Sequence, residues 1–418
     1  MSVKNKNAIV AGLDIGSSKV CCFIAELDEF FNPRVLGYGQ YVTSGMKRGV
    51  IIDMDQIEHA IRESVAGAED MAGVDVEEVY VSLGGVHLKS QMTDGLVVLN
   101  NHEIDDNDIV RVIEVARAKQ IEGDRQIVYA QATKYLLDSQ NDIRDPRGMT
   151  GSRLESEVHI ISAASSAVRN VLRCVERADL EVAELVVQPY ASGLSSLVQD
   201  EKDLGVCLVD IGGGTSDIAI FGDGALLYSG VIPVGGHHIT NDIARGLSTP
   251  LSHAERIKTM HGCAMASMVS GDETIDIPHV GENDSSEPGH VTKSVLAGII
   301  QPRCEEILEM IREKIEQSGF ESSIGRRVVI TGGTSQLEGV RQLAEVILDK
   351  NVRIARPVAL EGLTDLSGGS QFSTAAGLVV YGARQYAAKA RAARRTSVGK
   401  GFWTGVTQSI RQVFQSES

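Results

Sequence analysis

Residues 205–224 read GVCLVDIGGGTSDIAIFGDG, and residues 8–27 read AIVAGLDIGSSKVCCFIAEL. Each is an apolar run, then Asp-Ile-Gly, then small residues with Ser or Thr, then a second apolar run. The flanks are rich in Val, Ile and Cys, so each unit is predicted to be a β-hairpin whose turn carries glycine and hydroxyls. The strands are apolar on both faces, which suits a sheet covered by helices. Similar material follows each hairpin: GMKRGVIIDMDQIEHAI in the first half, YSGVIPVGGHHITNDIA in the second. The chain therefore reads as a duplicated α/β protein, with Asp14 and Asp210 at corresponding positions.

A turn of small residues exposes successive backbone N–H groups, on which a phosphate can sit. Gly16 in the first turn, and Gly212, Gly213 and Gly214 in the second, suit that use. Ser17, Ser18 and Thr215 add hydroxyl donors. Two carboxylates facing one pocket, Asp14 and Asp210, suit Mg²⁺, which keeps several waters and phosphate oxygens. One such turn alone would read as an ordinary tight hairpin; two in tandem units point to a shared site. A third glycine turn follows a strand in RRVVITGGTSQLEGV, 326–340. Ser335 and Glu338 match a capping box, so a helix is predicted just after Gly332–Gly333. That junction lets a flat ring approach the backbone, and it is also the form of an ordinary strand-to-helix turn.

Other segments complete an α/β pattern. An amphipathic helix begins at Asp55–Glu58 with Ile57, Ile61 and Val65 on one face. Ser165 is predicted to cap a helix carrying Val168, Val171, Leu172 and Val175, and Ser252 with Glu255 reads as another capping box. Residues 293–317 are periodic, interrupted at Pro302. Residues 281–290 read as a loop, and 383–400, Ala/Arg-rich and then Ser/Gly-rich, as a linker.

Composition narrows the class. The 418 residues are 43% hydrophobic and 23% charged, with a net charge of −16. That excludes a disordered chain and disfavours nucleic acid as a partner. Six scattered cysteines without a CxxC pair suit buried, reduced thiols in a cytosolic protein. The N-terminus lacks a secretory signal, and no apolar run is long enough to span a bilayer. Yet residues 383–416 hold seven Lys or Arg and no acid, which marks a separate interaction segment. The histidines show no metal-ligand spacing, and no nucleophile triad stands out.

The motifs LDIGSSKV, VDIGGGTSDIAI and VVITGGTSQLEGV resemble the phosphate and adenosine motifs of the actin/Hsp70/sugar-kinase ATPase superfamily. QPYASGLSSLV (188–198) and TAAGLVVYGA (374–383) resemble its two connecting helices. SGMKRGVIID (44–53), DPRGMTGSRLESEVHIISA (145–163), HAERIKTMHGCA (253–264) and the tail resemble the FtsA family of bacterial cell-division proteins, over essentially the whole chain. The resemblance implies a duplicated, bilobed actin-like fold with a family-specific inserted subdomain. Its first lobe would comprise 1–84 and 163–203, the insert 85–162, and the second lobe 204–382, with an outer subdomain at about 245–325. A basic linker, 383–400, would lead to an amphipathic helix, 401–418.

By that resemblance the cofactors are ATP and Mg²⁺. Asp14 and Asp210 would organise Mg²⁺, mostly through water. Gly16, Ser17, Ser18, Gly212, Gly213, Gly214 and Thr215 would contact phosphates, and Gly332, Gly333 and Thr334 the adenosine. Glu255 and Lys258 would reach the ribose and base, although Glu255 has the capping box as another role. Lys19 would either neutralise phosphate or face solvent. Gln188 is either the residue that positions a hydrolytic water or a polar helix start; ATP turnover in such a protein is weak or absent. Implied partners are FtsZ, further copies of the chain, later division proteins and an anionic membrane surface, at the inner face of the cytoplasmic membrane. The other readings are a plasmid-partitioning or pilus-assembly filament protein and a kinase of the same superfamily, for which no catalytic carboxylate can be assigned. An Hsp70-type chaperone lacks room for a substrate domain.

The tail has its own pattern. At about 100° per residue, Phe402, Trp403, Val406, Ile410, Val413 and Phe414 fall within an arc of about 120°, and Arg411 opens the polar side. A helix packed on its own body has the same pattern. The terminal position, the TSVGKG segment before it and the acid-free basic run favour a helix lying in a membrane interface.

Overall fold

Both Asp-Ile-Gly segments form hairpins in the computed structural model, which describes residues 8–119, 123–270, 273–278, 289–358, 360–363 and 367–398. β1 (Ile9–Ile15) and β2 (Lys19–Leu27) pair antiparallel, and β3 (Pro33–Val42) extends the pair. A short ladder of β4 (Met46–Lys47) and β5 (Val50–Ile51) leads into α1 (Met54–Ala72). The Asp53 carboxylate caps α1 by accepting from the N–H groups of Asp55 and Gln56, while Ile57, Ile61 and Val65 are buried. β6 (Glu78–Leu83) then lies parallel to β1.

The inserted segment contributes β7 (Lys89–Val98), α2 (Asp106–Arg117), β8 (Arg125–Leu137), β9 (Gln140–Ile143) and β10 (Arg153–Ala164). Its antiparallel sheet runs β7-β10-β8-β9, and Ile109 and Val112 of α2 share a core with Val97, Leu137 and Leu154. The chain then returns through α3 (Ser165–Arg177) and β11 (Glu181–Val187), which completes the first sheet in the order β11-β6-β1-β2-β3. Ser165 is the first residue of α3 rather than its cap; Ala164 takes that place, with no side-chain cap.

α4 (Gln188–Ser196) and α5 (Gln199–Leu204) lead to the second hairpin, β12 (Val206–Ile211) and β13 (Ser216–Gly222), followed by β14 (Ala225–Ile232). α6 (Gly236–Gly246), α7 (Leu251–His261), β15 (Thr274–Ile277), β16 (Gly289–Thr292) and α8 (Lys293–Gln317) come next. β17 (Arg327–Thr331), α9 (Val340–Leu348), β18 (Asn351–Ile354) and α10 (Ser373–Val398) close the chain's described part. The second sheet runs β14-β13-β12-β17-β18. In both sheets the Asp-Ile-Gly hairpin has a third antiparallel strand on one side and two parallel strands on the other. The duplication is thus one of topology as well as motif.

Several local expectations are corrected. α8 continues through Pro302, because Ile300, Ile307, Ile311 and Ile315 bury one face in the second-lobe core and that packing outweighs the lost hydrogen bond. Of the loop expected at 281–290, residues 281–288 lie outside the described residues, and Gly289 and His290 begin β16. The basic run from 383 to 398, expected as a linker, is helical and continues α10, as suits a stretch rich in Ala and Arg. The amphipathic segment 401–418 lies outside the described residues. The six cysteines are free and buried, and no described helix is long and apolar enough to cross a membrane.

α4 and α10 cross between the lobes at small residues: a Cβ on Gly377 would lie 1.8 Å from the Ala191 carbonyl oxygen. The inserted sheet packs on β14 of the second lobe. His159 is wholly buried there, with Nε2 2.6 Å from Ser90 Oγ, which also accepts from the Ser229 N–H. Burial pulls its pKa down to about 4. The unfolded chain takes up this proton near pH 6.5 and the folded chain resists it. Stability from this group is therefore complete above about pH 6.5 and lost as pH falls towards 4, by about 3 kcal/mol. His159→Gln is expected to flatten the melting temperature over that window in circular-dichroism scans. An unchanged slope would assign the acid sensitivity to other groups.

Candidate functional site

The two hairpin turns face each other across a cleft between the lobes. They close alike, Gly16 N donating to Lys19 O at 3.0 Å and Gly212 N to Thr215 O at 2.9 Å. A Cβ on Gly213 would lie 1.9 Å from Ser18 Oγ, and one on Gly214 2.6 Å from Ser17 Oγ. The second turn must be glycine for the first to approach it. A cavity of ≈ 110 Å³ is lined by Asp14, Gly16, Ser17, Ser18, Lys19, Gln188, Asp210, Gly212, Gly213, Gly214, Thr215, Gly332 and Gly333. A second, of ≈ 430 Å³, shares Ser18, Lys19, Gly213 and Gly333 with it and adds Glu255, Lys258 and Thr334. Every residue expected to bind nucleotide or metal, and Gln188, thus comes to one cleft.

Asp14, at the end of β1, is 8% exposed and accepts from Ser82 Oγ at 2.7 Å. Burial pushes its pKa up to about 6, and the neighbouring Asp210 adds to this. Asp210, at the end of β12, accepts from Ser192 Oγ of α4 at 2.5 Å and from Thr374 Oγ1 of α10 at 3.3 Å. Burial raises its pKa too. The carboxylate thereby ties both connecting helices to the second hairpin.

Asp217 is a third carboxyl that motif reading passed over. It pairs opposite Asp210 on β13 and accepts from Thr215 Oγ1 at 2.9 Å. Its Oδ1 is buried without a partner, and burial together with Asp210 pushes its pKa up to about 7. Comparing the repeats offers a signal for it, because the corresponding residue opposite Asp14 is Cys21. His237 was also missed. At the start of α6, its Nε2 lies 2.9 Å from Ser18 Oγ, a bond that joins the second lobe to the first turn. Sequence spacing offers no sign of this contact.

The other expected residues differ in detail. The Ser252–Glu255 capping box is not formed, because Pro250 takes the cap position and Ser252 lies inside α7. Glu255 instead accepts from Lys258 Nζ at 2.7 Å and from Thr240 Oγ1. Burial opposes its charge, yet the Lys258 ammonium and these bonds hold it below the usual carboxylate range. The Ser335–Glu338 box is absent as well: Gly339 precedes α9, and Ser335 Oγ donates to Gly332 O at 2.7 Å. Gly332 has φ 89°, and a Cβ there would lie 2.4 Å from Asp210 Oδ1, so side-chain-free backbone is required beside the carboxylate. Lys19 lines the cleft, where its ammonium lies 3.6 Å over the Phe372 ring and donates to Gln40 Oε1. Gln188 both begins α4 and lines the cleft.

Mg²⁺ fits this donor set. Three raised carboxyls and one orphaned oxygen form a site that a cation would relieve. Among the described residues no group of three or more His, Cys, Asp or Glu could hold a metal by itself. Such a cluster suits an ion held largely by water and phosphate oxygens.

Two α/β lobes of one topology, each delivering an Asp-Ile-Gly turn to a shared cleft, define an actin-like ATPase fold. The structure of a PilM–PilN type IV pilus biogenesis complex superposes with a TM-score of 0.64 at 18% identity, covering 90% of this chain and 98% of that one. MreB5 of Spiroplasma citri bound to ADP does so with a TM-score of 0.53 at 13% identity, over 95% and 100%. These likenesses are of fold. The family model for "Cell division protein FtsA" matches residues 207–377, and that for the "SHS2 domain inserted in FTSA" matches 85–162. The cell division protein FtsA of Pseudomonas aeruginosa is 38% identical over 382 residues, 91% of each chain. That of Escherichia coli K12 is 34% identical over 403 residues, 94% of this chain and 95% of the relative. The chain belongs to the FtsA family of cell-division proteins.

Proposed function

We propose that the protein binds ATP with Mg²⁺, polymerises on the inner face of the cytoplasmic membrane, tethers the FtsZ ring there and helps to recruit later division proteins. The observation that carries this reading is the meeting of two Asp-bearing glycine turns in one cleft, beside the unpartnered Asp217 oxygen. MreB5 of Spiroplasma citri, which shares the fold, is described bound to ADP and to AMPPNP.

Asp14 and Asp210 would accept hydrogen bonds from the waters of Mg²⁺, with Asp217 adding charge behind them. Mg²⁺, when bound, supplies the positive charge that offsets phosphate oxygens. The N–H groups of both turns would donate to phosphates. Gly332–Thr334 would border the adenosine, with Glu255 and Lys258 at the ribose and base. Gln188, at the head of α4, would orient a water, and turnover would be weak.

The test is co-pelleting with anionic vesicles, ATP and FtsZ, with and without residues 400–418. The full chain is expected to bring FtsZ polymers down with the vesicles, and the truncated chain to leave them in the supernatant. Recruitment that survives truncation would sink the membrane-tether reading. Among the described residues, none of 85–162 lines the cleft. Deleting that segment is therefore expected to abolish filaments in electron micrographs and to spare ATP binding. Filaments persisting after deletion would move self-contact to another surface.

A further inference from the structure

A second crevice, away from the nucleotide cleft and sharing no lining residue with it, opens where the inserted sheet meets the second lobe. Its volume is ≈ 710 Å³, within the range of about 300–1,000 Å³ usual for small-molecule sites. Lys89 of β7, Arg125 of β8 and Lys314 of α8 line it, and among the described residues no Asp or Glu does. In a chain of net charge −16, three cations from three elements converging without a counter-charge form a focused positive field.

The donors there are incompletely used. Arg125 Nε donates to Ser162 Oγ at 2.9 Å, and Nη2 to the carbonyls of Ser162 at 2.6 Å and His87 at 2.7 Å. These bonds fix the guanidinium plane and leave the Nη1 N–H groups without a partner among the described residues. Among the described residues no carboxylate pairs with it, although burial disfavours its charge. Ser229 of β14, only 6% exposed, lines the same crevice, and its Oγ has no hydrogen-bond partner. Buried donors in a folded protein are normally satisfied. We infer that the crevice binds an oxyanion of the phosphate class, which bridges the inserted sheet and the second lobe. The oxyanion would accept from the Arg125 Nη1 donors, with the Lys89 and Lys314 ammonium groups at the rim supplying charge. Bound there, it holds the insert against β14 and so couples the position of the insert to ligand supply.

The test is isothermal titration of the full chain with its nucleotide cleft saturated by Mg²⁺–AMPPNP, using pyrophosphate as the probe. Stoichiometric binding is expected. It should weaken about tenfold in the Lys89→Ala, Lys314→Ala double variant and also fall with added salt. Lys89 is exposed and Lys314 half-buried, and neither belongs to the apolar core, so an unchanged circular-dichroism melt is expected. A parallel arm with glycerol 3-phosphate separates the sources. Equal, lysine-dependent binding assigns the site to lipid-type headgroups, and binding of pyrophosphate alone assigns it to a free oxyanion. No binding of either probe, or binding indifferent to the two substitutions, overturns the proposal. Because the assay is run with nucleotide bound, failure there leaves the reading of the first cleft intact.

Discussion

Asp210→Asn is expected to weaken binding of Mg²⁺–ATP by about a hundredfold or more, with little effect on adenosine in the absence of Mg²⁺. Removing one partner of a buried charge pair typically costs about 3–5 kcal/mol, and about 1.4 kcal/mol is tenfold in affinity. Asparagine is the informative change because Asp210 has two tasks. Its Oδ2 accepts from Ser192 and Thr374 and so ties α4 to α10. Alanine would take the carboxylate acceptor from both hydroxyls, leaving them only each other at 2.9 Å, as well as removing the charge. Asparagine keeps an acceptor for them and withdraws only the charge. The nucleotide-free protein should melt no lower than wild type, since a buried carboxylate that desolvation penalises has gone. Isothermal titration with the two ligands checks the split. Equal loss for adenosine and Mg²⁺–ATP would make Asp210 a strut of the helix crossing and not a metal residue.

Trp403→Glu, or Phe414→Glu, should release the protein from anionic vesicles while the body's circular dichroism and ATP binding stay unchanged. Either residue lies on the apolar arc of the 401–418 segment. Each buried large apolar side chain contributes roughly 1.5–3 kcal/mol gross, and each Lys or Arg near anionic lipid about 1 kcal/mol. Helix ordering and incomplete burial would offset much of this, so one tail is expected to bind weakly and reversibly. A filament would present many tails at once and convert weak attachment into firm attachment. High salt should weaken binding without abolishing it, because the apolar part is not screened. A lowered melting temperature of the body with vesicle binding intact would mean that the tail packs on its own protein. α10 continues to Val398, so helix covers most of the expected linker.

The hairpins, the paired aspartates and the duplication were legible because they depend on short-range chemistry. Short continuous apolar runs rich in Val and Ile make buried strands, and glycine with hydroxyls makes a turn. Capping was read less well. Ser165, Ser252 and Ser335 each have the residue type of a cap, but the caps formed elsewhere. At α7 the cap position is Pro250, and Ser335 is drawn to Gly332 O and Ser370 Oγ. Pro250 and Gly332 are local competitors that the residue type of a cap does not weigh, whereas Ser370 Oγ arrives from 35 positions away. The run through Pro302 has the same origin: burial of one helix face in a core outweighs a local breaker.

What the sequence determined by itself was the class of backbone at each motif, the helical and strand periods, and the charge of the tail. Each follows from neighbours within a few residues. Tertiary structure alone decided which side chains meet. His237 reaches Ser18 across 219 positions, and Lys89, Arg125 and Lys314 surround one crevice from three separate elements. Those contacts carry no spacing signature, because their geometry is set by how two sheets and an inserted third pack. Lys19 makes the same point in reverse. Its position after the first turn is local, but the Phe372 ring beneath its ammonium arrives from the far end of the chain, and that ring decides where the charge rests.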